Sequence, residues 1–296
     1  MAASQTSAVE GTLAVVTSAA GVAATSNLPT LPDVGILVAG GEDAPETLLF
    51  LHGWGGSKEL WWNALAALPD TMRGLAIDLP GTGATPLPPV VRTMPQMACW
   101  VAETCGRLGL ENVTLIGHSL GGNLAAQVAL DFPALARRLI LVDAALDPAC
   151  LPIRSRWPLN SRLGLPVLRL MRLAALPLAA MGRGITPEHS GFWQAYARRT
   201  HWYARANSND QALQTQLRAL VDNPIHATRL ADLCMPLLIL HGARDAVVPV
   251  SQSQALARAL PQAALIIFPT AQHCPMDTDP AGFARALRDF CEQPIS

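Results

Sequence analysis

The chain has 296 residues, half of them apolar, which is ample for a large hydrophobic core in one or two domains. Its formal net charge of −1 gives no indication of nucleic-acid binding. The six cysteines form no Cys-x-x-Cys pair and no spacing typical of metal ligands, so we read them as reduced thiols of a cytoplasmic protein. Neither a metal nor an organic cofactor is predicted.

Residues 1–32 are rich in alanine, serine, threonine and glycine. Their best apolar run, at 12–16, is too short and too polar for a signal peptide or a membrane span. We therefore expect a flexible leader or an irregular first strand.

From residue 33 onward, short apolar runs alternate with segments of helical periodicity. The run at 47–51 is apolar almost throughout, as expected of a strand that is buried on both faces. This alternation predicts an α/β fold, with a mostly parallel sheet and helices on both faces. The predicted strands lie at 34–38, 47–51, 73–77, 138–142, 236–240 and 264–268, with another directly before residue 117, and the predicted helices lie at 59–68, 94–108, 251–260 and 280–291.

The most informative motif is Gly117-His118-Ser119-Leu120-Gly121, which lies between a predicted strand and an alanine-rich helix. A serine at so sharp a turn takes a strained backbone conformation, and its hydroxyl stands clear of the sheet. The glycines two residues before and after it are needed because a side chain would clash there. Ser119 is therefore the predicted nucleophile.

Two further residues complete a candidate catalytic group. A serine hydroxyl needs a base to accept its proton, and the base needs a carboxylate that fixes its tautomer. In open α/β sheets, reactive groups lie in loops at the carboxyl ends of strands. Asp245 and His273 occupy such loops and are the predicted acid and base. Asp143 also follows a predicted strand and is an alternative acid.

Two backbone N–H groups are predicted to stabilise the oxyanion that forms when Ser119 attacks a carbonyl. One belongs to Leu120, at the start of the helix after the nucleophile. The other lies in the loop His52-Gly53-Trp54-Gly55, and we assign it to Trp54.

Four motifs together carry a family resemblance: His52-Gly53-Trp54-Gly55, Asp78-Leu79-Pro80-Gly81-Thr82-Gly83, Gly117-His118-Ser119-Leu120-Gly121, and Gly242-Ala243-Arg244-Asp245 with His273 downstream. They make the sequence similar to the α/β-hydrolase superfamily from about residue 34 to the end, and within it to capped carboxylesterases and lipases. The resemblance implies a Ser119–His273–Asp245 triad that hydrolyses esters, with Trp54 and Leu120 as oxyanion donors. Haloalkane dehalogenases and epoxide hydrolases differ, because they carry an aspartate where this chain has Ser119.

Residues 148–230 interrupt the α/β pattern with prolines and helical periods but no convincing strand. We predict a helical cap at 148–230 inserted into a hydrolase core formed by 33–147 and 231–296. The insertion contains eleven arginines and three acidic residues. This charge fits either a basic lid on an acidic core or contact with something anionic, a phospholipid surface or an acidic substrate.

Within the insertion, the segment 163–181 is nearly all aliphatic residues and prolines, and its arginines fall on one side of a helix. Such a basic stripe is typical of weak membrane-surface contact. Pro166 and Pro177 should break the helix, however, so we favour two short cap helices that turn apolar faces into the pocket. Aromatic residues of the insertion would line an acyl pocket or only hold the lid in place: Trp157, Phe192, Trp193, Tyr196, Trp202 and Tyr203.

The sequence thus predicts a serine hydrolase that cleaves a small-molecule carboxylic ester with an apolar acyl chain through an acyl-enzyme. The same triad would serve a thioesterase, a lactonase, a C–C bond hydrolase or a perhydrolase. A binding or receptor protein on a hydrolase scaffold is the alternative outside catalysis. The sequence does not indicate an oligomeric state.

Overall fold

The computed structural model describes residues 13–15, 29, 31–41, 43–150 and 210–295. Their centre is an eight-stranded sheet in the order β1-β2-β4-β3-β5-β6-β7-β8, in which only the β2–β4 pair is antiparallel. The predicted mostly parallel sheet is therefore confirmed. The strands are β1 Leu13–Val15, β2 Ile36–Gly40, β3 Glu46–Leu51, β4 Met72–Ile77, β5 Val113–His118, β6 Ala136–Val142, β7 Leu237–Gly242 and β8 Ala263–Phe268.

Helices cover both faces of this sheet. Those in the described part of the chain are α1 Trp62–Ala66, α2 Met94–Arg107, α3 Leu120–Asp131, α4 Asp210–Asp222, α5 Ala227–Leu230, α6 Val250–Ala259, α7 Pro275–Thr278 and α8 Pro280–Cys291, with 3₁₀ turns at Lys58–Trp61 and Pro148–Cys150. None of them has both the length and the apolar character needed to cross a membrane.

The central strands are buried on both faces because side chains alternate along a strand. Leu49 of β3 and Leu115 of β5 pack into one core cluster with α2 and α3. Phe50 and Ile116, their neighbours in sequence, point to the other face and pack with α1 and α8. Two continuous cores on opposite faces hold the sheet rigidly, so the loops at its carboxyl ends start from fixed points.

The predicted helix at 59–68 is shorter and less regular than expected. It starts as the 3₁₀ turn Lys58–Trp61 and continues as α1, which ends at Ala66. Leu68 precedes Pro69, and a residue before proline disfavours helical backbone angles. The strand predicted at 34–38 begins only at Ile36, because the N–H of Gly35 donates to the Thr85 hydroxyl at 3.0 Å.

Residues 151–209 lie outside the described part of the chain, and so do the predictions of a basic stripe at 163–181 and of an aromatic pocket lining. The ends of the insertion that are described, Pro148–Cys150, α4 and α5, are helical. Within residues 1–32, Leu13–Val15 forms the short strand β1, which pairs in parallel with Ile36–Val38 of β2.

A buried ion pair lies at the amino end of the sheet, far along the strands from the loops described below. Arg138 in β6 donates through Nη1 to both carboxylate oxygens of Glu46, at 3.0 and 2.9 Å. The hydroxyl of Thr114 in β5 donates to the same carboxylate. Arg138 is only 2 % exposed, so Glu46 neutralises a charge that water scarcely reaches.

Candidate active site

Ser119 lies at the sharp turn between β5 and α3. Its backbone angles, φ 55° and ψ −118°, fall outside the regions that a residue with a side chain ordinarily adopts. The surrounding chain holds this conformation: the Ser119 N–H donates to the carbonyl of Val142 at 3.0 Å, and its carbonyl accepts from the N–H of Ala145 at 3.0 Å. The end of β6 therefore fixes the turn that carries the candidate nucleophile.

Glycines make this turn possible because backbone segments approach each other closely around it. A Cβ atom on Gly117 would overlap the carbonyl oxygen of Gly121, and one on Gly121 would overlap that of Leu51. The start of α3 can therefore lie directly against β3 and β5 only while both positions are glycine.

Asp245 and His273 meet at the carboxyl ends of β7 and β8. Nδ1 of His273 lies 2.7 Å from Oδ2 of Asp245. The other carboxylate oxygen, Oδ1, accepts the N–H groups of Val247 at 2.7 Å and Val248 at 3.0 Å. Burial alone would raise the pKa of Asp245, but hydrogen bonds from His241, His273 and Val247 outweigh it and hold that pKa well below its usual value. Asp245 is thus an ionised carboxylate with a fixed orientation.

His118, the residue before Ser119, connects the nucleophile turn to the loop that carries His273. Nε2 of His118 lies 2.6 Å from the carbonyl oxygen of His273, and the two imidazole rings have centroids 4.7 Å apart. The sequence predicts only that His118 packs beside the sheet, and it is indeed buried. Within the described residues, no hydrogen bond joins the Ser119 hydroxyl to His273. Such bonds are often long without substrate and tighten when it binds.

Asp143, the alternative acid, is buried near His273, but its hydrogen bond goes to the main chain. Its Oδ1 accepts the N–H of Gly242 at 2.8 Å, and its φ of 44° turns it away from ordinary strand geometry. Burial raises the pKa of Asp143 well above its usual value; attraction to His241 opposes this rise, and repulsion from Asp245 adds to it. The carboxyl that bonds His273 is therefore that of Asp245, while the carboxyl of Asp143 accepts from the main chain at the end of β7.

The loop after β3 lies directly against the Ser119 turn. A Cβ atom on Gly53 would come within 2.8 Å of Nδ1 of His118 and 3.1 Å of Cβ of Ser119. Gly53 begins a tight turn that the N–H of Gly56 closes by donating to its carbonyl at 3.0 Å. Trp54 follows in this turn, and Leu120 is the first residue of α3, where a helix leaves its N–H groups without internal acceptors. The two candidate oxyanion residues thus lie on segments in contact.

His52 orients this loop through both of its ring nitrogens. Nε2 accepts the N–H of Leu79 at 3.0 Å, so the proton resides on Nδ1, which donates to the carbonyl of Gly53 at 2.8 Å. Burial lowers the pKa of His52, although Asp78 opposes it, and the ring stays neutral as this tautomer requires. Asp78 in turn accepts from the N–H and the Nζ of Lys58, both at 2.8 Å. These side chains connect the loop after β3 to the loop after β4.

Two groups of side chains have ligand-type atoms within 4.8 Å of one another, the spacing that could hold a metal ion: His118, Asp143 and His273, and Asp143, His241 and Asp245. Several nitrogen and oxygen atoms of these residues already take part in hydrogen bonds. Nε2 of His118 is bonded to a carbonyl, and Oδ2 of Asp245 to His273. The donor set therefore fits a proton network better than a metal centre.

Helix α4, near the end of the insertion, reaches the loop that lies against the Ser119 turn. The indole Nε1 of Trp54 donates to the carbonyl of Leu213 in α4 at 2.9 Å. Nε2 of Gln216, one turn further, donates to the carbonyl of Pro80 at 3.1 Å, and Gln216 is fully buried. Sequence reasoning missed these contacts, because nothing in the local pattern of α4 tells which loop it touches.

The fold and this arrangement of loops define a hydrolase of the α/β-hydrolase fold. The family model for that fold matches residues 46–280, so the chain belongs to the α/β-hydrolase family. A protein of Pseudomonas savastanoi pv. phaseolicola, provisionally named a carbamate hydrolase, RutD, is 31 % identical over 84 % of this chain and 94 % of its own length. A pimeloyl-[acyl-carrier protein] methyl ester esterase of Nitrosomonas europaea is 28 % identical over 80 % of this chain and 92 % of its own.

A solved structure shows the same architecture. A thermophilic esterase from Thermogutta terrifontis superposes with a TM-score of 0.69 at 25 % identity, covering 87 % of this chain and 92 % of the esterase.

Proposed function

We propose that this protein is a serine hydrolase that cleaves a carboxylic ester with an apolar acyl chain. The observation that carries the proposal is the 2.7 Å contact between His273 Nδ1 and Asp245 Oδ2, at the same end of the sheet as the strained Ser119 turn. Its likeness to proteins named esterases supports the ester as substrate class. The aliphatic and aromatic composition of the insertion supports an apolar acyl chain.

In the proposed reaction, Oγ of Ser119 attacks the ester carbonyl while Nε2 of His273 accepts its proton. Asp245 holds the proton on Nδ1 of His273, so Nε2 is the nitrogen available as base. His273 then protonates the leaving alcohol, an acyl-enzyme forms on Ser119, and a water activated by His273 releases the acid.

The tetrahedral intermediate would be stabilised by the N–H groups of Trp54 and Leu120. Fixed donors of this kind contribute on the order of 3 kcal/mol each to the lowering of the barrier. The tight turn at Gly53 and the start of α3 hold both groups before substrate arrives, so little reorganisation is needed.

We also infer that 148–230 forms a cap over this site. The support is that α4 is bonded through Leu213 to Trp54, in the loop that lies against the Ser119 turn, and through Gln216 to Pro80 in the loop after β4. A cap so placed would separate the acyl chain from water.

A fluorophosphonate probe and p-nitrophenyl esters of increasing acyl length test the proposed function together. We expect the probe to label Ser119, turnover to rise from acetate to longer chains, and Ser119→Ala to abolish both signals. Ser251→Ala is the matched control, because Ser251 is exposed on α6. Full turnover in Ser119→Ala, or an unlabelled Ser119 in the folded wild type, would refute the proposal.

A further inference from the structure

A second histidine, His241, lies against the carboxylate that holds His273, and the proposed mechanism does not use it. It is the fifth residue of β7, four residues before Asp245, and it is fully buried. Nε2 of His241 is 3.4 Å from Oδ2 of Asp245. That is the same oxygen to which His273 is bonded at 2.7 Å.

Hydrogen bonds decide where the protons of His241 reside. Nε2 lies 3.1 Å from the carbonyl oxygen of Val248, which can only accept, so Nε2 carries a proton. Nδ1 lies 2.7 Å from the hydroxyl of Ser253, a buried residue of α6 that can either donate or accept. The ring is thus held at both nitrogens, and it can be neutral or positively charged without losing a partner.

Asp245 cannot turn away from His241. Its Oδ1 is occupied by the N–H groups of Val247 and Val248, so Oδ2 stays between the two histidines. The titratable groups that face His241 are Asp245 and Asp143, whose Oδ1 is 3.7 Å from the same Nε2. Burial works against a charge on His241, but these two carboxyls outweigh it and raise the pKa of His241 above its usual value.

We propose that His241 is a positioning residue that shares the Asp245 carboxylate with His273 and thereby tunes the base. A positive or hydrogen-bonding ring beside Oδ2 withdraws negative charge from the bond between Asp245 and His273. The protonated form of His273 is then less stabilised, so the neutral base persists to lower pH. This inference rests on the proposed function for its consequence in catalysis, while the proton network itself can be measured without substrate.

The central experiment is the pH dependence of kcat/KM in His241→Gln. Glutamine can still donate to the carbonyl of Val248 but carries no charge. Because Asp245 then acts on His273 alone, we expect the acid limb of the profile to move to higher pH by about 1 unit. A variant that loses activity while its acid limb stays in place would overturn the proposal, since a residue that only fills space has no effect on that limb.

Ser253→Ala provides a second variant that keeps the imidazole. It removes the acceptor that a protonated Nδ1 of His241 needs, so the limb should move in the same direction by a smaller amount. Ser251→Ala, on the exposed side of the same helix, should leave the profile unchanged. If Ser253→Ala folds but leaves the acid limb of the kcat/KM profile in place, then the role assigned to the Ser253–His241–Asp245 network is wrong.

NMR titration of ¹⁵N-histidine separates this inference from the proposed function. The His273 signals, assigned with His273→Gln, should titrate at higher pH in His241→Gln than in wild type. If the wild type hydrolyses no ester but this midpoint still moves, the proposed function is refuted, while the sharing of Asp245 between His241 and His273 is supported. If the wild type is active but His241→Gln changes neither the NMR midpoint of His273 nor the acid limb of kcat/KM, then the role of His241 is refuted and the proposed function stands.

Discussion

His118 and His273 are joined by a hydrogen bond of 2.6 Å between an imidazole nitrogen and a backbone carbonyl, although 155 positions separate them in the chain. The carbonyl can only accept, so Nε2 of His118 carries the proton. The neighbour of the candidate nucleophile therefore positions the main chain of the candidate base.

This bond gives the first prediction. His118→Leu should lower kcat by about tenfold and the free energy of unfolding by about 1 kcal/mol, because the backbone of His273 loses its donor. His118→Gln can still donate and should recover part of the activity. Steady-state kinetics and urea denaturation measure the two effects. A Leu variant with wild-type kcat would show that the bond does not position His273.

The two buried aspartates should differ strongly in catalysis. Asp245→Asn should lower kcat by about 10⁴, because the amide would favour the wrong tautomer of His273. Asp143→Asn should cost far less, since the hydrogen bond to His273 comes from Asp245. Single-turnover assays with the same ester rank the two variants, and the reverse order would transfer the role of acid to Asp143.

Asp143 should also give a pH-dependent stability. Its pKa is raised in the folded protein from the ordinary value of 3.8, so the folded state binds the proton more tightly than the unfolded state. The stability associated with this group is full below about pH 3.8 and is lost as pH rises toward the folded pKa. Asp143→Asn keeps an oxygen acceptor for the N–H of Gly242 but cannot ionise, so its stability should not fall with pH in this way.

The Asn variant should therefore unfold at a higher temperature than wild type at pH 7, by about 2–4 °C for each kcal/mol gained. The difference should disappear well below pH 3.8, where the wild-type carboxyl is protonated in both the folded and the unfolded state. Thermal unfolding at several pH values measures it. A variant less stable than wild type at neutral pH would contradict a raised pKa of Asp143 in the folded protein.

The Glu46–Arg138 pair should matter for stability alone. Glu46→Gln leaves a buried guanidinium without its counter-charge and should cost about 3–5 kcal/mol in the free energy of unfolding. Replacing both residues by methionine should recover most of this loss, because no charge is then buried. Since the pair lies at the opposite end of the strands from Ser119, kcat at a temperature where the variant is folded should be unchanged. A large loss of kcat in the folded variant would show that the ends of the sheet are coupled.

The bond between Trp54 and Leu213 should contribute to turnover. Trp54→Phe keeps an aromatic ring but loses the indole donor, and we expect kcat/KM to fall by about fivefold. Trp62→Phe, in the partly exposed start of α1, is the matched control and should behave like wild type. Equal rates for both variants would exclude a role for the Trp54 bond.

The sequence predicts the fold best where a strand is buried on both faces. The run at 47–51 sits between two cores, so its apolar pattern identified β3 almost to the residue. The end of α1 was misjudged because helical periodicity continues through Leu68, while Pro69 acts on backbone angles and not on hydrophobicity.

The candidate site was predictable in its residue types but not in its connections. Asp143 and Asp245 end neighbouring strands, and only side-chain direction decides which of them bonds His273. The His241-Gly242 pair at the end of β7 was the available signal for a second histidine. A sequence pattern contains no distances, however, so it does not show that the rings of His241 and His273 both lie against Oδ2 of Asp245.

The contact between Trp54 and α4 uses a main-chain carbonyl of Leu213 and not its side chain. Every residue type offers the same carbonyl, so this hydrogen bond survives replacement of Leu213 by another apolar residue that fills the same buried space. Relatives of this protein could therefore diverge in the inserted segment, and with it in substrate preference, without rebuilding the loop that faces Ser119. Exchange of whole insertions between such relatives becomes a practical route to new ester specificities, provided that the length of chain leading into α4 is preserved.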